Sequence, residues 1–361
     1  MHIVLVGTKA QLIKMAPIIR ELAIQQQPYL FVLTGQHTET MDAIIHAFEL
    51  KAPDDTLVDI GESDSKSKLF TWLRKAWQAG KRRDYFAASH SILVHGDTMS
   101  TLLGALLGRY HRIPVVHIEA GLRSHNIFHP FPKELIRLIV SRLSTLNFCH
   151  GEWATDNLQF RSNKALNINT QLNTIIDSLR YALDRSPQIT DEMTPYSVVS
   201  IHRYENLNNK ARLSDILEQI ILTSTKIKVI FVLHPVTRST LMKTGFITRL
   251  QLPNIELSDR MDYVQFVQLL ARSRFLITDG GSNQEEASYM GLPCLLVRKA
   301  TERTEGIGDN VVLSNYDPVA WHKFVSEHQH TQWSLRDLPE IYPSREIAQA
   351  LCQPGNLSIN V

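Results

Sequence analysis

Short β-branched runs alternate with longer amphipathic stretches along this chain, and that alternation constrains the fold more than any other feature. HIVLVG (2–7), YLFVLTG (29–35), SILVHGD (91–97) and VVHIEA (115–120) read as buried strands, with helical stretches at 12–26, 39–49, 66–79 and 100–112. Apolar runs bounded by turn residues and separated by helices belong to a parallel sheet covered on both faces. After a polar stretch, RSNKALNINTQLN (161–173), and an introducing segment, SPQITDEMTP (186–195), the pattern restarts. Its strands are YSVVSIH (196–202), KVIFVLH (228–234), NIEL (254–257), FLITDG (275–280) and CLLV (294–297), with helices at 209–225, 262–272 and 283–290. The expected fold class is α/β, with two Rossmann-like, doubly wound parallel-sheet domains spanning 1–165 and 166–361.

Length agrees, because 361 residues fit two domains of roughly 150 to 200 residues better than one core. With 38 Lys and Arg against 36 Asp and Glu, the net charge of +2 gives no reason to expect nucleic acid or an anionic membrane as partner. Any bound anion must be held locally. Cys149, Cys294 and Cys352 lack CxxC or zinc spacing, so they read as reduced thiols, and no metal and a cytoplasmic location are expected. The apolar run before Gly7 is far shorter than the roughly 20 residues of a membrane span. It also lacks the basic flank of a signal peptide, and reads as a first strand.

In open α/β sheets ligands sit beyond the carboxyl ends of the strands, which draws attention to Asp97, Glu119, His202 and Asp279. In TDGGSNQEEASYMG (278–291), Gly280 and Gly281 let a backbone approach a ligand, and Ser282 or Asn283 can cap a helix whose first turn holds Glu285 and Glu286. Such a turn suits a diphosphate, and it is equally an ordinary strand-to-helix turn with an acidic first turn. In VGTKAQLIKMAP (6–17), Lys9 and Lys14 can serve phosphate, although solvated lysines are the commoner reading and the spacing is not a Walker loop. His202 and His234 end equivalent strands near Arg203 and Arg238 and, with RKATERTEG (298–306), favour an anionic ligand over purely structural histidines. Asp97 is a helix cap or, beside Glu119, half of an acid–base pair whose two environments separate its pKa values.

Taken in order, GTKAQLIKMAP, TGQH, HGDTMSTLLGALLG, IPVVHIEAGLRS, SIHRYENL, LHPVTR, TDGGSNQEEASYMGLPCLLVR and ATERTEG resemble the non-hydrolysing UDP-N-acetylglucosamine 2-epimerase family, from Gly7 to about Val312. The resemblance implies a glycosyltransferase-B-like fold with a nucleotide sugar between the domains, and a reaction in which UDP is eliminated and re-added to invert C2. A C2 proton that is not next to a carbonyl is too weakly acidic for simple removal, so the reaction needs an acid, a base and stabilisation of the departing diphosphate. By resemblance, Asp97 and Glu119 are the catalytic carboxylates and His202 the histidine beside the diphosphate. Gly281 and Ser282 form the phosphate turn, Glu286 meets the ribose, Arg303 belongs to the TER segment, and Lys9, Lys14 and His234 complete the binding groups. No cofactor is implied; a UDP-sugar is the partner, a homodimer is left open, and the expected setting is synthesis of cell-surface polysaccharide precursors.

Three departures accompany the match. The family's GTRPE is Gly7-Thr8-Lys9-Ala10-Gln11, its DSGG turn is Asp279-Gly280-Gly281-Ser282, and its Pro-Glu-Glu step is Pro132-Lys133-Glu134. Lys133 thus stands where the family has a catalytic carboxylate, which leaves a UDP-sugar-dependent glycosyltransferase or a silent sugar-nucleotide-binding regulator as alternatives.

Overall fold

A computed structural model describes residues 1–36, 41–59, 66–126, 132–159, 165–185, 194–301 and 303–357. The chain forms two compact units, Met1–Ser178 with Glu340–Val361, and Leu179–Pro339.

The first unit holds strands β1 (His2–Val6), β2 (Tyr29–Leu33), β3 (Asp55–Thr56), β4 (Ser91–His95), β5 (Val115–Ala120), β6 (Leu146–Cys149) and β7 (Leu166–Asn169). They pair in the order β3-β2-β1-β4-β5-β6-β7, parallel throughout. The order reverses between β1 and β4, which opens a crevice at their carboxyl ends. Helices such as Lys9–Ile24, Lys66–Lys81 and Met99–His111 cover the sheet. One of its cores gathers Ile3, Leu5, Trp72, Val94, Leu103 and Val115, and the Trp72 indole donates to the Thr34 carbonyl at 3.0 Å.

The second unit repeats the plan. Strands β8 (Tyr196–Ser200), β9 (Lys228–Leu233), β10 (Ile255–Asp259), β11 (Leu276–Thr278), β12 (Cys294–Leu296) and β13 (Val311–Leu313) pair in the order β10-β9-β8-β11-β12-β13, again all parallel. Its switch lies between β8 and β11, and its core includes Val199, Phe231, Phe275, Ile277 and Trp321.

The sheet of the first unit continues past residue 165, where the sequence put the domain boundary, because β7 pairs with β6 from Leu166 to Asn169. The C-terminal helix Pro343–Leu351 also returns to the first unit. There the Gln27 amide donates to the Ala348 carbonyl at 2.7 Å, and Asp177 caps the Ser344 N–H at 2.8 Å. The introducing segment 186–195 lies mostly outside the described residues.

Candidate active site

At the switch of the first sheet, the β1 turn leads into the helix Lys9–Ile24 through Thr8, whose side chain and that of Gln11 form a reciprocal cap. The Gln11 amide accepts from the Gly7 and Thr8 N–H groups, both at 3.1 Å, and donates to the His95 carbonyl at 2.7 Å. The β1 and β4 turns are therefore stitched together by a group that both donates and accepts, which the residue in place of the family's acid provides. Lys9 is half-buried at the first position of the helix. Lys14, for which solvation was the commoner reading, is instead buried and ion-paired with Glu119.

Glu119 owes its direction to the backbone. It lies at φ +60, and the pairing of β5 with β6 shifts register between Ile118 and Ala120. A left-handed residue in a bulge re-aims the side chain out of strand alternation, a strain tolerated chiefly at functional sites. Its Oε1 accepts from Lys14 and, at 2.6 Å, from the Asn173 amide. Its Oε2 stands 3.7 Å from Nε2 of buried His95, and Gly96 (φ +66) has no Cβ to crowd it, since one would lie 3.1 Å from that oxygen. Burial pulls the His95 imidazole down to about 4.

Asp97 precedes the cap of the helix Met99–His111, which is Thr98, so the cap reading of Asp97 is corrected. Arg137 holds Asp97 through Nε at 2.9 Å and Nη2 at 2.7 Å, and Lys133 Nζ stands 3.4 Å from Oδ1. Lys133 opens the helix Lys133–Leu143, where the macrodipole disfavours a cation, and its side chain is 55% exposed. Its neighbour Glu134 is buried and bound by Arg123, by the Ser124 N–H at 3.0 Å and by Arg137 at 3.4 Å. Burial pushes the Glu134 carboxyl up, but the Ser124 N–H and the Arg123 guanidinium outweigh it and hold it below the usual range. Glu134 is thus a structural anion that orients Arg137. Asp97, His117, Glu119, Arg123 and Arg137 line one cavity of about 10 Å³. Residues 127–131 of the intervening segment lie outside the described ones.

At the switch of the second sheet, fully buried Asp279 accepts from the His202 and Arg203 N–H groups, both at 2.9 Å, and from the Asn206 amide at 2.9 Å. This anion fixes the loop that presents His202. Burial lowers the His202 pKa, Asp279 opposes that, and Arg260 and Arg203 add to it. The His202 and His234 rings stack 5.7 Å apart, and the Arg260 guanidinium lies 3.0 Å from His234 Nε2.

The helix after β11 runs Gly281–Met290, capped by Gly280 without a side-chain hydrogen bond. It starts earlier than expected, since Asn283 turns back to Thr278 at 3.3 Å instead of capping. Glu285 and Glu286 therefore fall beyond the first turn and are buried. Glu285 pairs with Arg303 at 2.8 Å, while Glu286 faces Tyr263, whose phenol is pushed well up by burial and then by Glu286. Ser282 is half-buried in the first turn. A Cβ on Gly280 would lie 2.9 Å from His202 Cε1, and one on Gly281 would lie 3.2 Å from Arg303 Nε. Both glycines thus admit cationic or donor side chains to a helix N-terminus whose N–H groups suit an anion. Arg238 pairs with Asp259 instead. Gln284 holds the segment that carries Arg303, donating to the Glu305 carbonyl at 3.0 Å.

Asn173, Arg137 and Gln11 are site residues that sequence reasoning missed. Arg137, four residues after Lys133, carries a helical-spacing signal; Asn173 carries none.

Residues 21–330 match the family model described as UDP-N-acetylglucosamine 2-epimerase. The chain is 32% identical to the UDP-N-acetylglucosamine 2-epimerase of Bacillus subtilis over 83% of this chain and 79% of that one. It is also 32% identical to that of Yersinia pestis, over 85% and 84%. Among solved structures, the Methanocaldococcus jannaschii UDP-GlcNAc 2-epimerase in complex with UDP-GlcNAc and UDP superposes with a TM-score of 0.82 at 26% identity, covering 97% of this chain and 98% of that one. These relatives do not favour the transferase alternative. With two parallel-sheet units and this breadth of match, the chain belongs to the UDP-N-acetylglucosamine 2-epimerase family.

Proposed function

We propose that this chain interconverts UDP-GlcNAc and UDP-ManNAc by eliminating and re-adding UDP, with Asp97 and Glu119 as its acid–base carboxylates. The observation that carries the reading is the pair itself: two carboxylates from adjacent strand ends at a topological switch, each gripped by cations and both lining one cavity. Charge-gripped carboxylates stay oriented while a proton moves to or from a neighbouring carbon. The diphosphate is assigned to the open N-terminus of the helix Gly281–Met290 with His202 and Arg303, where positive charge and N–H donors favour the departing anion. Lys9, Lys14, His234 and Ser282 are assigned supporting roles, and Glu286 the ribose. Purified protein incubated with UDP-GlcNAc in heavy water should gain deuterium at C2, read by NMR. Asp97→Asn and Glu119→Gln should each lower that exchange by about 10²- to 10⁴-fold. Folded protein that binds UDP and leaves C2 unlabelled would overturn the reading.

A further inference from the structure

Tyr316 lies far from His202 in sequence, and a chain of hydrogen bonds through Asn206 and Asp279 joins the two within the second unit. It follows β13, where Asn315 (φ +50) and Tyr316 (φ +61) are both left-handed. Asparagine enters that region readily, but a tyrosine does so at a cost, and such strain persists where the surroundings over-determine it. The loop is pinned on both sides of the turn. The Ser314 N–H donates to the Leu296 carbonyl at 3.0 Å, the Tyr316 N–H donates to Ser314 Oγ at 3.3 Å, and Asp317 caps the helix Pro318–His328 through the Val319 N–H at 2.9 Å. The turn brings the Tyr316 ring to the Arg212 guanidinium, 4.5 Å from the ring centroid, and its hydroxyl to Asn206 Oδ1 at 2.8 Å.

The Asn206 amide has one orientation available. The Asp279 carboxylate and the Val297 carbonyl only accept, and Asn206 Nδ2 donates to them at 2.9 and 3.2 Å, so Oδ1 is left for the phenol, which must donate. Burial raises the Tyr316 pKa above its ordinary value, so the phenol keeps that proton through the neutral range. Asn206 and Asp279 are both fully buried. Asp279 in turn accepts the His202 and Arg203 N–H groups, and its Oδ1 stands 3.4 Å from His202 Nδ1. The same carboxylate thus meets both the backbone and the ring of His202.

We propose that Tyr316 is a positioning residue for His202: by donating to Oδ1 it locks the Asn206 amide with both N–H groups spent, one of them on Asp279, and so fixes the carboxylate that holds His202. This rests on the proposed reading of His202 as the group beside the departing diphosphate and deepens it. Without the phenol, Asn206 Oδ1 loses its hydrogen bond, the amide can turn, and Asp279 loses the constant direction of one donor. The ring of His202 faces Asp279 from the end of β11, Arg203 from its own loop, Arg260 from the segment after β10 and His234 from the end of β9. Asp279 is the anion among these groups, so a loosened Asp279 supports the charged imidazole less. The phenol thereby acts on a ring that it does not touch.

The test is the titration of His202, in protein labelled with ¹³C at histidine Cε1, its resonance identified by its loss in His202→Ala. Tyr316→Phe keeps the ring and removes only the hydroxyl, and the His202 midpoint should fall by about 0.3 to 1 pH unit. Turnover in C2 exchange should fall by about three- to thirtyfold in Tyr316→Phe, and by less than about twofold when the same change is made in His202→Ala, because residues that act through one another are not additive. A ring that titrates in folded Tyr316→Phe as in the wild type would overturn the inference. So would unchanged turnover, or a loss of turnover that is equal with and without the His202 side chain. A shifted titration in a protein that binds UDP and shows no C2 exchange would instead keep the link from Tyr316 to His202 and remove the epimerase reading.

Discussion

A histidine beside a leaving diphosphate contributes most when its position is fixed before the charge develops. His202 meets that condition through its backbone, since Asp279 holds its N–H at 2.9 Å while leaving the ring against His234. His202→Ala should lower turnover by about 10- to 10³-fold, whereas His330→Ala, at an exposed position, should leave it within about twofold. Equal effects in a C2-exchange assay would make His202 structural. Lys133 poses the sharper question. Its Nζ stands 3.4 Å from Asp97 on a solvent-facing helix end, and Lys133→Glu would return an acid where the family resemblance has one. A carboxylate there gains from the helix N-terminus, while Arg137 and Arg123 remain to offset the added charge. We expect Lys133→Glu to keep or raise C2 deuterium incorporation on UDP-GlcNAc and UDP-ManNAc. A loss of exchange with UDP binding intact would show that the lysine itself is required.

Elements carry these residues only as well as their turns are built. Gly280 has φ −83, which alanine adopts freely, so Gly280→Ala tests space and not backbone strain. Its Cβ would press to 2.9 Å from His202 Cε1, and UDP affinity measured by calorimetry should fall by about tenfold or more, with the melting temperature nearly unchanged. Unaltered affinity would mean that His202 yields without cost. Much of this frame was legible in the sequence: the inner strands of both sheets carry apolar runs, and the ends of β4, β5, β8 and β11 drew attention to Asp97, Glu119, His202 and Asp279. Less was legible where tertiary contacts decide. The edge strands β3, β7 and β13 are only two to four residues long, and β7 interrupts Leu166 and Ile168 with Asn167 and Asn169, so the boundary fell before β7. Lys14 looks like any helical lysine until Glu119 is turned toward it by a bulge that the letters do not show. The early start of the helix Gly281–Met290 buried Glu285 and Glu286 for the same reason, since Arg303 and Tyr263 come from distant segments.

Across the whole molecule, buried histidines set the response to acid. Burial pulls the His2 and His95 imidazoles down to about 4, and it also lowers His117, His202 and His328. In the unfolded chain each takes up its proton near pH 6.5, whereas the folded chain resists until the pH is lower. Between about pH 6.5 and 4 the unfolded state therefore holds more protons, and stability must fall as the pH falls through that window. Buried His2 and His95 each contribute at most about 1.4 kcal/mol per pH unit. Glu205, held at about 2 chiefly by its hydrogen bond from Arg203, and Glu134 extend the loss to lower pH, because depressed carboxyls give up their stabilisation only as they protonate. His2, His95 and His117 all belong to the first unit, so that unit should respond more steeply. Urea denaturation at pH 7 and pH 5 is expected to show a loss of roughly 2 to 4 kcal/mol, and calorimetry should show the transition of the first unit moving further than that of the second. His2→Gln offers the internal check: its ring, which bonds Ser91 Oγ at 2.8 Å, lies at the opposite end of β1 from the site. Removing it should flatten the pH dependence by about one proton without touching C2 exchange. An unfolding midpoint that is the same at both pH values, or a slope unchanged in His2→Gln, would show that these imidazoles are already charged in the folded protein.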